Sequence, residues 1–175
     1  MSGPGQVWQQ AADNLNRHLQ AVTDDQWEAA TPCEGWTVRD LVDHAVHWQA
    51  VGGSVIGAGT TPGDEWEKVY AALGEAVKDP SNFEGALEGG PFKGMEKHQV
   101  FGLVVADALI HSWDLARAIG ADETLPGEAV EGVLLGLERM PDQMLRSETM
   151  FGPAVEVPAD ASQQDKMLAL AGRQP

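Results

Sequence analysis

The feature that most constrains this chain is the apolar run from Met95 to Gly120, MEKHQVFGLVVADALIHSWDLARAIG. It is too polar to span a membrane, yet Phe101, Leu103, Val104, Val105, Leu109 and Ile110 leave little room for a solvated face. The pattern predicts a helix buried in the middle of a globular domain. Between Phe101 and Ala116 three ionisable residues interrupt it: Asp107, His111 and Asp114. At 3.6 residues per turn, Asp107 and His111 stand about 40° apart on the helical wheel, one turn above the other. Asp114 follows on nearly the same line. Such groups enter a core only when paired, hydrogen-bonded or bound to a metal.

The rest of the chain supplies what surrounds that line. Trp8, Ala11, Ala12, Leu15, Leu19 and Val22 repeat at helical spacing and predict a first helix from about Gly5 to Val22. His18 lies near its stripe, as a core or rim histidine. The second helix has a clear start: Thr37 as N-cap, Asp40 as the third helical residue, and Trp36 before the cap able to pack on Leu41. It runs to about Gly52 or Ile56. Its face carries Leu41, His44, Trp48, Val51 and Val55, with Asp40 and His47 at the edge. Pro62 is placed near the start of a third helix marked by Trp66, Val69, Tyr70, Leu73 and Val77, which Pro80 ends. The glycine-rich segment 81–94 reads as a loop, of a length more often functional than idle.

Beyond Gly120, Val130, Val133, Leu134 and Leu137 mark a further helix, which Pro141 kinks or restarts. A short extended piece near Val155 to Val157 and a last helical turn or two around Gln164 to Ala171 complete the chain. The expected architecture is all-α: a four-helix bundle in one domain, residues 1–175, with short extra elements at the C-terminus.

Composition narrows the partners. With 27 Asp and Glu against 11 Lys and Arg, the formal charge is −16. Such a surface repels phosphate backbones and anionic lipid, so neither nucleic acid nor a membrane surface is an expected partner. The single cysteine, Cys33, cannot form an internal disulfide, which suits a reducing cytoplasm. Cysteines of this kind are more often small buried hydrophobes than reactive thiols. The N-terminus shows no basic region followed by an apolar core, so no signal peptide is expected.

The chemistry-bearing set is His44 from the second helix with Asp107 and His111 from the central one. Residues i and i+4 of a helix project together and can converge on one ion. Two imidazoles and one carboxylate leave coordination positions open, as catalytic sites do. The plainer alternative is a buried hydrogen-bonded pair of Asp107 and His111, with His44 a core histidine beside Trp48. His47 is expected in support or at the pocket mouth, and Trp48 in the pocket wall with Trp36 and Trp113. Asp114 either orients a ligand, as carboxylates do for ligating histidines, or pairs with Arg117.

TPCEGWTVRDLVDHAVHW, followed later by DALIHSWDLARAIG, resembles the DinB-like metal-binding superfamily. More narrowly it resembles the N-terminal domain of mycothiol-dependent maleylpyruvate isomerase, in its short actinobacterial members. The tail FGPAVEVPADASQQDKMLALAGRQP is similar to their ending. The resemblance implies a four-helix bundle holding a divalent metal, zinc or nickel, with His44, Asp107 and His111 at the family's ligand positions. The isomerase has a glutamate where this chain has Asp107. It also carries a second domain, so maleylpyruvate isomerisation itself is not carried over.

Three functions follow as expectations. The leading one is a metal-dependent transferase or isomerase that uses a low-molecular-weight thiol, mycothiol, on an electrophilic substrate. The second is a metal-dependent hydrolase. The third is a non-enzymatic metal-binding or stress-response protein. A homodimer is the expected assembly of so apolar a bundle.

Overall fold

The computed structural model describes residues 3–146 and 150–175. Among the described residues there are seven α-helices and no strand: α1 (Pro4–Ala21), α2 (Val38–Val55), α3 (Trp66–Ala76), α4 (Lys97–Ile119), α5 (Gly127–Glu138), α6 (Asp142–Leu145) and α7 (Gln163–Leu170). A 3-10 turn, Pro80–Phe83, lies between α3 and α4. The fold is all-α, as the periodicity predicts. Length does not separate four main helices from the rest, because α5 has 12 residues and α3 only 11. None of the described helices is long and apolar enough to cross a membrane.

α4 is the axis. It packs on α1 and on α2, while α3 lies against α2, and α5 touches α1, α4 and α7. From Val104 to Ala116 every α4 residue except Asp107 is buried, which is why the stretch lacks a solvated face. One sequence expectation shifts. α3 starts at Trp66 with Glu65 as N-cap, four residues beyond Pro62, which sits in the preceding loop. The piece at Val155 to Val157 is neither helix nor strand, and the Val155 amide donates to the Ala169 carbonyl near the end of α7.

α2 begins where its capping residues require. The Thr37 hydroxyl accepts from the Asp40 amide, and the Asp40 carboxylate accepts from the Thr37 amide, so two otherwise unpaired donors are satisfied reciprocally. Farther along, Gly52 lets α2 approach α4 closely. A methyl group at Gly52 would stand 2.5 Å from Val104 Cγ1, and Val104 is fully buried. Ala in place of Gly improves helix propensity by up to about 1 kcal/mol. Overpacking a filled core costs about 1–3 kcal/mol. Gly52→Ala is therefore expected to lose about 1–2 kcal/mol in urea denaturation, and a gain in stability would show that the two helices can part freely.

Buried polar groups tie the three long helices together. Trp8 Nε1 of α1 donates to Gln49 Oε1 of α2 at 2.9 Å, and Gln49 Nε2 donates to the Val104 carbonyl of α4 at 2.9 Å. Near the other end of α4, Ser112 bonds to Asn14 and lies 3.0 Å from His18 Nδ1. His18 is thus a core histidine, and burial pushes its pKa below the ordinary imidazole value. These bonds fix the rotation of α4 about its axis, and so decide where Asp107 and His111 point.

Candidate metal centre

α2 and α4 bring His44, Asp107 and His111 to one place. His44 Nε2 lies 3.0 Å from Asp107 Oδ1, and His111 Nε2 lies 3.5 Å from the same oxygen. The two imidazole rings meet edge to face with centroids 5.0 Å apart. One donor atom from each residue falls within 4.8 Å of the other two. The site is graded in exposure. The His44 side chain is 41% exposed, whereas Asp107 and His111 are each 10% exposed. The bond to Asp107 raises the His44 pKa above the ordinary value, against the opposing effect of burial.

The second carboxylate oxygen of Asp107 bears on whether the residues fit a cation. Asp107 Oδ2 is buried and has no hydrogen-bond partner among the described residues. An orphaned buried acceptor of this kind is uncommon in a folded protein and calls for an explanation. A donor set of two imidazoles and a carboxylate, with one carboxylate oxygen still unpaired, suits a divalent ion and leaves coordination positions open.

Behind His111 lies a second cluster. The loop TPCEGW folds into a tight turn that closes with an antiparallel bridge between Ala30 and Thr37. Gly35 occupies a left-handed conformation (φ 77°) that favours glycine, and the Thr31 hydroxyl donates to the Trp36 carbonyl at 3.0 Å. The turn sets Trp36 over both imidazoles, 4.8 Å from His44 and 5.9 Å from His111 between ring centroids. It also points Cys33 at α4. The Cys33 thiol donates to Asp114 Oδ2 at 3.3 Å, and its sulfur lies 4.0 Å from His111 Nδ1.

Asp114 is wholly buried and sits 3.0 Å from His111 Nδ1. Its cation is Arg173 from the C-terminal tail, at 2.7 Å, rather than Arg117. Arg117 instead forks onto Glu123 and lies over the Trp113 ring, 4.0 Å from its centroid. The Arg117 guanidinium is thus already engaged at the surface, while Asp114 is buried. Burial pushes the Asp114 pKa up, but the bonds from His111 and Arg173 outweigh it and hold the carboxyl below its ordinary range. Cys33, His111 and Asp114 also converge closely enough to hold an ion, but the Arg173 guanidinium already stands among them, 3.4 Å from the Cys33 sulfur.

Cys33 is not an activated nucleophile. Burial, reinforced by the Asp114 charge, pushes its pKa up to about 12. At pH 8, alkylation by iodoacetamide is expected to be at least about 100-fold slower in the native protein than in urea, since thiolate is the reacting form. Equal rates would mean the turn opens freely.

The remaining expected residues part company. His47 is exposed and belongs to neither cluster. Trp48 lies one turn along α2 from His44 and packs edge to face on Phe92, which anchors the glycine-rich loop there. The three tryptophans do not wall one pocket. Trp36 covers the histidines, Trp48 meets the loop, and Trp113 lines a cleft of about 470 Å³ with Thr31, Pro32, Arg117 and Arg173. Arg173 is the residue that sequence reasoning misses. It lies in a polar tail, 59 positions from its partner, with no local signal.

The comparisons with known proteins agree with this architecture. The family model described as the mycothiol maleylpyruvate isomerase N-terminal domain matches residues 8–91, which include His44 and end before α4. Two Mycobacterium tuberculosis proteins, named Uncharacterized protein MT0763 (strain CDC 1551 / Oshkosh) and Uncharacterized protein Rv0738 (strain ATCC 25618 / H37Rv), are each 30% identical over 177 residues. The alignments cover 97% of this chain and 97% of each relative. No solved structure gives a significant match. On the full-length relatives and the matching domain model, the chain belongs to the family of the mycothiol maleylpyruvate isomerase N-terminal domain.

Proposed function

We propose that this protein is a metal-dependent enzyme that uses a low-molecular-weight thiol, mycothiol, as cosubstrate toward an electrophile, with the metal held by His44, Asp107 and His111. The observation that carries the reading is the convergence of two imidazoles, from two neighbouring helices, on Asp107 Oδ1, in a carboxylate whose buried Oδ2 has no hydrogen-bond partner among the described residues. The family's own description supplies the thiol.

The chain's residues divide the work. His44 and His111 offer Nε2, and Asp107 offers the carboxylate whose Oδ1 both of them face. When bound, a divalent ion, zinc or nickel, supplies a position at which a thiol is held as its thiolate at neutral pH. His44, being the exposed member, leaves the approach from solvent open, while Trp36 shields the imidazoles on one side. Asp114 accepts from His111 Nδ1 and so leaves Nε2 with its lone pair for a metal. Cys33, held as a neutral thiol, does not compete with an incoming thiolate.

The test is metal content of the protein as purified, followed by turnover of 1-chloro-2,4-dinitrobenzene with and without mycothiol. The expected result is one ion per chain and conjugation that needs both metal and thiol. Absence of bound metal, or turnover indifferent to thiol, overturns the reading. Metal-dependent turnover of ester or amide substrates without thiol selects hydrolysis instead. A metal whose removal unfolds the protein with no activity to lose selects a binding role.

A further inference from the structure

We propose that Arg173 is a positioning residue for His111, acting through Asp114 to fix which imidazole nitrogen carries the proton. The inference rests on the metal reading above for its consequence, but not for its geometry.

His111 faces two environments. Its Nε2 looks toward Asp107 at 3.5 Å, and its Nδ1 toward Asp114 Oδ2 at 3.0 Å. A neutral imidazole has one donor and one acceptor nitrogen, and the partner of one decides the role of the other. Arg173 donates from Nε to Asp114 Oδ1 at 3.2 Å and from Nη2 to Asp114 Oδ2 at 2.7 Å. A guanidinium is always charged, and its planar fork matches both oxygens of a carboxylate. A carboxylate held in that fork is an acceptor only, so His111 Nδ1 must be the donor. In the neutral ring Nε2 then carries no proton and turns its lone pair to the side of His44 and Asp107.

The tail is built to deliver this contact. The Arg173 amide donates to the Leu168 carbonyl at 2.9 Å, its Nη1 donates to the Ala171 carbonyl at 2.9 Å, and the side chain is only 14% exposed. Arg173 makes no hydrogen bond to His44, Asp107 or His111 among the described residues, which separates positioning from ligation. The wholly buried Asp114 would otherwise face His111 without a countercharge. Supporting bonds to metal-binding imidazoles are worth about 10–100-fold in affinity.

The experiment uses the full chain with Arg173→Gln, Arg173→Lys and, as reference, His111→Ala. Ring ¹⁵N NMR of the metal-free protein reads the tautomer of His111, and zinc titration against a chelator reads affinity and stoichiometry. Wild type is expected in the Nδ1–H form with one ion bound. Arg173→Gln is expected to mix the tautomers and weaken zinc binding about 10–100-fold while keeping one site. Arg173→Lys, which keeps the charge but loses the fork, should recover part of both. Should Arg173→Gln fail to fold, the lysine variant carries the test by the same two readouts. An unchanged tautomer and unchanged affinity in either folded variant overturns the proposal. Wild-type protein that takes up no zinc defeats the metal reading alone, and the tautomer measurement still decides the role of Arg173.

Discussion

His111→Ala is expected to lose metal binding by more than about 100-fold, because a direct donor should matter more than the supporting contacts worth about 10–100-fold. His44→Ala and Asp107→Ala should fall with it, whereas His47→Ala should bind as the wild type does, since His47 is exposed and outside the donor set. Equilibrium dialysis followed by elemental analysis reads all four. The fold should survive His111→Ala, because Asp114 keeps its bond to Arg173 and the loss is one imidazole, a deletion of about 1–3 kcal/mol. Asp107→Ala behaves differently. It removes a carboxylate only 10% exposed whose Oδ2 has no hydrogen-bond partner among the described residues, so the metal-free protein should lose little stability while the ion is lost. Wild-type metal content in His111→Ala would end the three-donor proposal.

What the sequence made legible was local. The line of Asp107, His111 and Asp114 follows from helical period alone, and α4 runs from Lys97 to Ile119 almost as the apolar run suggests. The start of α2 was equally readable, since Thr37 and Asp40 satisfy each other within four residues and need nothing from the rest of the fold. His44 could then be assigned to the α4-facing side of α2 by counting turns. What escaped was set by distant contacts. Pro62 is compatible with a helix start but does not compel one, and the chain enters α3 only where Trp66 can bury itself and donate to Asn16. Asp114 had two helix-local readings, orienting a ligand or pairing with Arg117. Its true cation arrives from a turn after α7, where neither charge pattern nor periodicity marks a partner. Trp36, Trp48 and Trp113 read alike as pocket aromatics, but the turn before α2 and the two helices send each to a different neighbour.

The buried pair of Asp114 and Arg173 gives the second large effect. Asp114→Ala is expected to destabilise the protein by about 3–5 kcal/mol, because it leaves a guanidinium buried without its carboxylate. Arg173 cannot escape cheaply: its backbone amide and Nη1 are already engaged, and its side chain is 14% exposed. Replacing both partners by apolar residues, Asp114→Ala with Arg173→Met, should recover much of that loss, since neither charge then remains to be solvated. Chemical denaturation of the wild type, both single variants and the double variant closes the cycle. Metal affinity should not follow stability. The double variant lacks the acceptor for His111 Nδ1 and should stay about 10–100-fold weaker than wild type even where its stability is restored. If affinity instead recovers together with stability, the pair serves folding only, and His111 holds its tautomer without it.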